Sequence, residues 1–259
     1  MIKVENVEVV GWEHAIRGMR NPMNSWEKSD STFKETAFID VLTSDDGDTT
    51  KFPVYFDALD IGPNDHELMM KLRNAGTDHR KFMRMITVYV DITAPLYWWK
   101  EFKTYRAGRR FGDDEPGIID DGYLECDIET NSCSTMHKIH AKEFTLDDFS
   151  HEHLTPHSLI VLQDIIINLN QYRMWYIDKD DKRTEMSDEC YTKYKKDLWR
   201  QMIQLLPSSY NQKRTVMLSY EVLANIYKSR KNHKLDEWRD FCKWIESLPY
   251  SELITGEEK

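Results

Sequence analysis

Apolar and polar residues alternate near the middle of the chain, and this pattern predicts a β-strand over residues 86–93. A period of two residues is typical of a strand with one buried face, and here the inward positions are Ile86, Val88, Val90 and Ile92. Pro95 ends this strand. Aromatic side chains then recur at helical spacing, at Tyr97, Trp98, Trp99 and Phe102. The pattern therefore predicts a strand that leads directly into an amphipathic helix.

Weaker strand signals precede this central strand. Residues 2–10 alternate loosely and predict a first strand, and the segments 36–42 and 51–56 predict two more strand pieces joined by a turn at 44–50. Pro53 restricts its segment to an edge strand or a loop, because proline cannot donate to the ladder of a sheet.

Helical periodicity dominates the second half of the chain. Pro22 ends a short helix near the amino terminus, and a second helix at 64–76 has Asn64 as its predicted N-cap and Gly76 as its C-terminal stop. Four later segments show an apolar stripe at helical spacing, namely 157–177, 191–207, 219–233 and 235–249. We expect one α+β domain over residues 1–259, with an acidic insertion loop at 107–130.

Composition excludes several classes of protein. The net charge of −10 argues against general nucleic-acid binding, which depends on clustered Lys and Arg. No apolar run is long enough for a membrane span, and Glu5 and Glu8 interrupt the amino-terminal segment, so we expect no signal peptide and a cytoplasmic protein. The four cysteines are far apart, which favours reduced thiols over a metal site.

Two groups of basic residues are candidates for binding an anion. Arg106, Arg109 and Arg110 follow the aromatic helix, and guanidinium groups match phosphate oxygens bidentately, although a solvated basic patch would have the same composition. Arg230 and His233 lie one helical turn apart, where they face a common ligand or stabilise the carboxyl end of a helix.

Three further features have both a binding and a structural interpretation. The hydroxyl groups of Ser132, Ser134 and Thr135 suit a phosphate-binding turn or an ordinary capped turn. His79 precedes the central strand, where it can contact a cofactor or simply lie at the surface. The aromatic cluster at 97–102 can stack on a flavin or belong to the core.

The order and spacing of these blocks resemble the flavin-dependent thymidylate synthases. In that family a histidine precedes a strand ending in Ala-Pro, an aromatic helix leads into Arg-His-Arg, and a loop Asn-x-x-Ser-x-Arg follows. This chain has His79, then Thr-Ala-Pro at 93–95, then Thr104-Tyr105-Arg106, then residues 131–136. Farther on, the family's Leu-Pro pair, Asn, Arg and His are matched by Leu206-Pro207, Asn225, Arg230 and His233.

The resemblance implies an α+β fold with a central mixed or antiparallel sheet. It also implies a homotetramer that binds FAD between subunits and methylates dUMP reductively, with methylenetetrahydrofolate as carbon donor and NADPH as reductant. On this analogy the residues that contact the flavin are His79, Arg106, Asn225 and His233. Those at the nucleotide are Asn131, Ser132, Ser134, Arg200 and Arg230, of which Ser134 and Arg230 are the catalytic candidates.

The sequence also departs from the family at charged positions. Thr104 and Tyr105 replace two residues of Arg-His-Arg, Met136 replaces the arginine that ends the serine loop, and Ile203 replaces another nucleotide-binding arginine, with Arg200 one turn away as a substitute. Each lost charge-assisted bond weakens ligand binding by about 1.5–3 kcal/mol. Two alternatives therefore stand beside the enzyme: a homologue that binds flavin or nucleotide without catalysis, and an enzyme acting on another pyrimidine nucleotide.

Overall fold

Four antiparallel strands form the central sheet of the protein. The computed structural model describes residues 2–33, 35–42, 49–56, 59–105, 128–178 and 186–256, and only the backbone over 35–42 and 49–56. The strands of the sheet are β1 (Lys3–Val10), β4 (Thr87–Pro95), β5 (Ile128–Ser132) and β6 (Asn211–Ser219), in the order β1-β4-β6-β5. Every neighbouring pair is antiparallel, which settles the choice between a mixed and an antiparallel sheet. Strands β2 (Glu35–Leu42) and β3 (Thr49–Phe56) form a separate hairpin.

The alternation predicted for the central strand is confirmed. Val88, Val90, Ile92 and Ala94 of β4 are buried, as is Ile86 just before it. In β6 the residues opposite them on the same face are Leu218, Val216, Arg214 and Gln212, and these four are buried as well. One face of the sheet is therefore covered by helices, and the first two inward positions of β6, Gln212 and Arg214, are polar.

Eight helices accompany the sheet. They are α1 (Trp12–Arg20), α2 (Pro63–Asn74), α3 (Leu96–Phe102), α4 (Pro156–Ile177), α5 (Asp188–Leu205), α6 (Tyr220–Arg230), α7 (Asp236–Glu246) and α8 (Glu252–Thr255), counted over the described residues. All the predicted helices are present, and α8 and the 3-10 turns were not predicted. The helical second half is thus confirmed.

The predicted cap of α2 was wrong. The helix begins at Pro63 with Gly62 as N-cap, so Asn64 lies inside the first turn. Gly62 has no side chain to accept a bond, and the carboxylate of Asp30 accepts from the backbone N–H groups of Asn64 and Asp65 instead, at 2.9 and 3.1 Å. At the other end, Gly76 has a φ of +107° and terminates the helix as predicted.

Two strands were missed by the sequence analysis. Strand β6 lies in a stretch that was left without a prediction, and β5 takes in the end of the predicted 107–130 insertion and the first two residues of the serine loop. The helix predicted over 219–233 is shorter, because Ser219 caps α6 and the helix ends at Arg230.

Two hydrophobic clusters hold the elements together. The larger lies between the sheet and the helices α1, α2, α3, α6 and α7, and it contains Trp98, Trp99, Phe102 and Trp238. The smaller joins α4 and α5 to the segment 139–149. Within the described residues, no helix is both long and apolar enough to cross a bilayer.

Candidate functional site

Arg230, in the last turn of α6, is enclosed by groups from α3 and α7. Its Nη2 lies 3.0 Å from Oε2 of Glu101, and its Nε donates a hydrogen bond to the hydroxyl of Tyr105. Its guanidinium carbon lies 4.8 Å from the centre of the Trp238 ring, which is within range of a cation–π interaction. Arg230 is therefore a positioned cation whose charge is already compensated by one carboxylate.

His233 lies next to this group. Its ring centre is 6.3 Å from that of Trp238, and its Nδ1 accepts from the backbone N–H of Leu235 at 3.1 Å. The structure thus brings Arg230 and His233 together around one indole ring, as their spacing predicted. Burial raises the pKa of Tyr105, although Arg230 acts in the opposite direction, so the phenol beside them stays neutral at physiological pH.

A second polar cluster links the 3-10 turn Arg80–Arg84 to the start of α6. Glu221 is fully buried and pairs with Nε of Arg80 at 3.3 Å and with Nε of Arg84. Nη2 of Arg80 also donates to Oδ1 of Asn225 at 2.8 Å. Two guanidinium groups are thus fixed by one buried carboxylate.

Arg80 connects two of the predicted cofactor residues. His79 immediately precedes it in the chain, is exposed, and lines a cavity of about 270 Å³ together with Gly76, Thr77 and Arg84. His79 and Asn225 are therefore brought to the same region through Arg80, while His233 lies at the other cluster.

The serine loop at 131–136 follows β5 along the edge of the sheet. Asn131 and Ser132 belong to β5 and pair in register with Thr215 and Arg214. The hydroxyl oxygen of Ser134 accepts from the backbone N–H groups of Met136 and Lys138, at 3.3 and 3.4 Å. This is the geometry of a capped turn, and it leaves the hydroxyl proton of Ser134 available to an outside acceptor.

Arg200 is on α5, next in the chain to a residue that contacts this loop. Its neighbour Trp199 donates its indole N–H to the carbonyl of Met136 at 2.8 Å, and Arg200 itself is exposed. Arg106, Arg109 and Arg110 are outside the described residues.

The aromatic helix belongs to the core. Trp98, Trp99 and Phe102 are fully buried and pack on one another, which confirms the structural interpretation of this cluster. Tyr97 is half-buried and donates its hydroxyl to Glu237, and burial together with that carboxylate raises its pKa. No described group of His, Cys, Asp and Glu side chains is arranged to hold a metal ion.

The acidic partners of the site and one buried cation were not predicted from the sequence. Nothing in the local pattern singled out Glu101 or Glu221, because their partners are more than one hundred residues away in the chain. Arg214 was overlooked together with β6. A signal for it does exist, since a basic residue at an inward position of an alternating segment is unusual and points to a special role.

The molecule has an α+β fold, in which helices pack on a four-stranded antiparallel sheet. Two crystal structures share it, both of the flavin-dependent thymidylate synthase ThyX from Helicobacter pylori complexed with FAD and dUMP. One is 16% identical, with a TM-score of 0.55, over 98% of this chain and 100% of that chain. The other is 15% identical, with a TM-score of 0.56, over 99% and 98%. No protein-family model and no curated protein matches the sequence.

Proposed function

We propose that the protein catalyses the FAD-dependent reductive methylation of dUMP to dTMP. Methylenetetrahydrofolate would supply the carbon, and a reduced nicotinamide, NADPH, would supply the reducing equivalents. The observation that carries this proposal is the extent of the structural match, which spans 98% of this chain and the whole of a chain crystallised with FAD and dUMP. Two proteins with the same fold catalyse the same reaction only where their site residues have the same chemistry, so each proposed residue is considered in turn.

The proposed cofactor residues are His79, Asn225 and His233, together with Arg106. Arg84 and Asp78 line the cavity beside His79, and Arg84, whose Nε pairs with Glu221, would contact a phosphate-bearing part of a dinucleotide through its terminal nitrogens. Sites for whole cofactors measure about 300–1,000 Å³, so a cavity of about 270 Å³ fits one part of FAD, and we assign the remaining contacts to other subunits. When bound, FAD would supply the redox chemistry of the methyl transfer.

The proposed nucleotide residues lie at both the Arg230 group and the serine loop. Arg230 would orient the pyrimidine and stabilise negative charge that develops on its carbonyl oxygen, because a fixed cation costs no reorganisation during the reaction. Ser134 would donate its free hydroxyl proton to the nucleotide, with Asn131 and Ser132 beside it. Arg200 would approach the loop from α5 after a change of rotamer.

One observation favours a second candidate, a homologue that binds flavin or nucleotide without turnover. The charge of Arg230 is compensated by Glu101 at 3.0 Å and by the hydroxyl of Tyr105, so an anionic or carbonyl ligand must compete for the guanidinium. Met136, 52% exposed, adds no charge at the end of the serine loop. Such a site binds its ligand less tightly than an uncompensated one.

We further propose that a homotetramer of single-domain subunits is the functional, cytoplasmic form. Helix α4 supports this proposal, because it is apolar on more than one side. Its inward side chains Leu162, Ile166 and Leu169 are buried in the smaller cluster, while other apolar side chains are exposed: Ile160, Val161, Ile167, Met174 and Ile177. A helix that is hydrophobic all round is normally buried, and a neighbouring subunit would bury it.

Titration with FAD followed by product analysis tests the proposal. Spectral shifts of added FAD and formation of dTMP from dUMP are the expected results. Binding of FAD and dUMP without any product would favour the altered homologue, and product from UMP or dCMP alone would favour an enzyme for another pyrimidine nucleotide. A colourless protein that takes up no FAD at any concentration would contradict the proposed enzyme, and one that binds neither FAD nor a pyrimidine nucleotide would contradict all three.

A further inference from the structure

Arg214 is a buried cation on the inner face of the sheet. It lies in β6 opposite Ile92 of β4 and Ser132 of β5, and only 9% of its surface is exposed. Its charged side chain therefore lies beside inward residues of β4 that are all apolar. Arginine is rarely buried unless an acid neutralises it.

Within the described part of the chain, no carboxylate pairs with Arg214. Its Nε donates to Oε1 of Gln212 at 3.0 Å, and both terminal nitrogens have no hydrogen-bond partner among the described residues. Burial lowers the pKa of its guanidinium with no acid acting in the opposite direction. Since arginine stays protonated in proteins, the side chain is a desolvated positive charge that an anion would stabilise.

The guanidinium is held in a fixed orientation. Its central carbon lies 4.3 Å from the centre of the Trp99 ring, which stacks against it. The indole N–H of Trp99 donates to the backbone carbonyl of Gln212 at 3.0 Å. The two residues that contact the Arg214 guanidinium, Trp99 and Gln212, are therefore bonded to each other. This arrangement immobilises the inner side of the guanidinium and leaves the two terminal nitrogens to bind a ligand.

The same network reaches the serine loop. Nε2 of Gln212 donates to the carbonyl of Cys133 at 2.7 Å, which fixes the loop against β6. Ser132 is the register partner of Arg214, and side chains directly opposite each other in antiparallel strands have Cβ atoms about 4.5–5.5 Å apart. A hydroxyl group and a fixed guanidinium fork therefore lie side by side at the edge of the sheet.

We propose that Arg214 binds the phosphate group of the nucleotide substrate, with Ser132 as its neighbouring hydroxyl donor. The two terminal nitrogens of the Arg214 guanidinium would donate to two phosphate oxygens, and the hydroxyl of Ser132 would donate to the third. This assignment rests on the proposed function for the identity of the ligand. The anion site itself rests on the geometry of Arg214, Gln212 and Trp99.

The test compares dUMP with deoxyuridine, which lacks the phosphate, by calorimetric titration of the FAD-supplemented protein. The Arg214→Met variant keeps most of the side-chain volume and removes the charge. We expect it to bind dUMP about 10- to 100-fold more weakly and deoxyuridine as before. The control is Lys213→Met, which removes a cation from the next residue of β6, on the opposite face, and should leave the preference for dUMP unchanged.

A second measurement separates this proposal from the proposed function. Inorganic phosphate should raise the thermal midpoint of the wild-type protein and leave that of Arg214→Met unchanged. If this holds while wild type binds no dUMP, the anion site stands and the nucleotide assignment falls. If dUMP binds wild type and Arg214→Met equally, or if neither dUMP nor phosphate has any effect on wild type, the proposal for Arg214 is overturned. Should Arg214→Met fail to fold, Arg214→Lys keeps the charge without the planar fork, and the expected weakening of dUMP binding is smaller.

Discussion

Nη2 of Arg230 and Oε2 of Glu101 lie 3.0 Å apart, and this ion pair joins the end of α6 to the end of α3. Both residues are partly exposed, at 20% for Arg230 and 45% for Glu101, so solvent screens the pair and its contribution to stability is small, about 0.2–1 kcal/mol. Its effect on ligand binding is of the same size. The carboxylate of Glu101 competes with a nucleotide for the guanidinium of Arg230.

Removing that carboxylate should therefore strengthen binding. For Glu101→Gln we expect dUMP affinity to rise by about 2- to 5-fold, because Arg230 keeps Tyr105 and Trp238 as neighbours and loses only its competing charge. Calorimetric titration measures the change, with Glu13→Gln on the exposed surface of α1 as the control. Weaker binding by Glu101→Gln would show that the carboxylate itself contacts the ligand.

Two glycines with similar backbone angles should respond very differently to substitution. Gly11 has a φ of +94°, and a Cβ there would lie 2.0 Å from the backbone carbonyl oxygen of Met85. Gly76 has a φ of +107° and open space around it. We expect Gly76→Ala to cost about 1 kcal/mol of unfolding free energy through its left-handed backbone alone.

The same substitution at Gly11 adds a clash with main-chain atoms, which cannot move aside as a side chain can. Gly11→Ala should therefore lower the free energy of unfolding by several times as much, on the order of 3 kcal/mol or more. Urea unfolding of both variants measures the difference. Equal losses at the two positions would mean that β1 and the 3-10 turn before β4 separate readily.

Acid should lower the free energy of unfolding by protonating Asp91, which lies on the outer face of the sheet. Hydrogen bonds from Thr215, Asn6 and Lys213 lower the pKa of this carboxyl from 3.8 to about 2. A depressed folded-state pKa contributes stability above the unfolded pKa, and that stability is lost as the pH falls from about 4 to about 2. The unfolding free energy of wild type should thus fall more steeply over this range than that of Asp91→Asn. Parallel pH profiles would contradict the assignment.

The exposed apolar side of α4 should control assembly. Ile167 is 65% exposed, and a charge at this position would be buried without a partner in a subunit interface. We expect Ile167→Glu to shift the protein to smaller species in light scattering, while Gln201→Glu, which adds the same charge at an exposed position of the neighbouring helix α5, should not. A monomeric wild-type protein would refute the proposed tetramer.

Periodicity predicted the elements whose buried positions are mostly apolar, with at most one charged residue among them. The central strand β4 and helices α1, α4, α5 and α7 were found because their inward residues repeat at a regular spacing. Strand β6 was not predicted, because two of its four inward residues are polar. These four are Gln212, Arg214, Val216 and Leu218. The cap of α2 was misplaced because its acceptor, Asp30, is supplied from a distant loop.

The site could be predicted only where its residues are close together in the chain, at the end of α6 and in the turn that follows it. Arg230 and His233 share a turn, and the structure places both against Trp238. Tertiary pairing decided the rest: Arg80 reaches Asn225 across 145 residues, and Arg230 meets Tyr105 across 125. No local pattern encodes such contacts, because they depend on how the sheet and helices pack.

The proposed reaction transfers a carbon from methylenetetrahydrofolate to dUMP. The most direct measurement incubates the purified protein with FAD, NADPH, dUMP and methylenetetrahydrofolate carrying a ¹³C label in its methylene group, and then analyses the nucleotides by mass spectrometry. We expect ¹³C-labelled dTMP, and we expect none when FAD or NADPH is omitted. Unlabelled, unchanged dUMP, recovered from protein that demonstrably binds both FAD and dUMP, would contradict it.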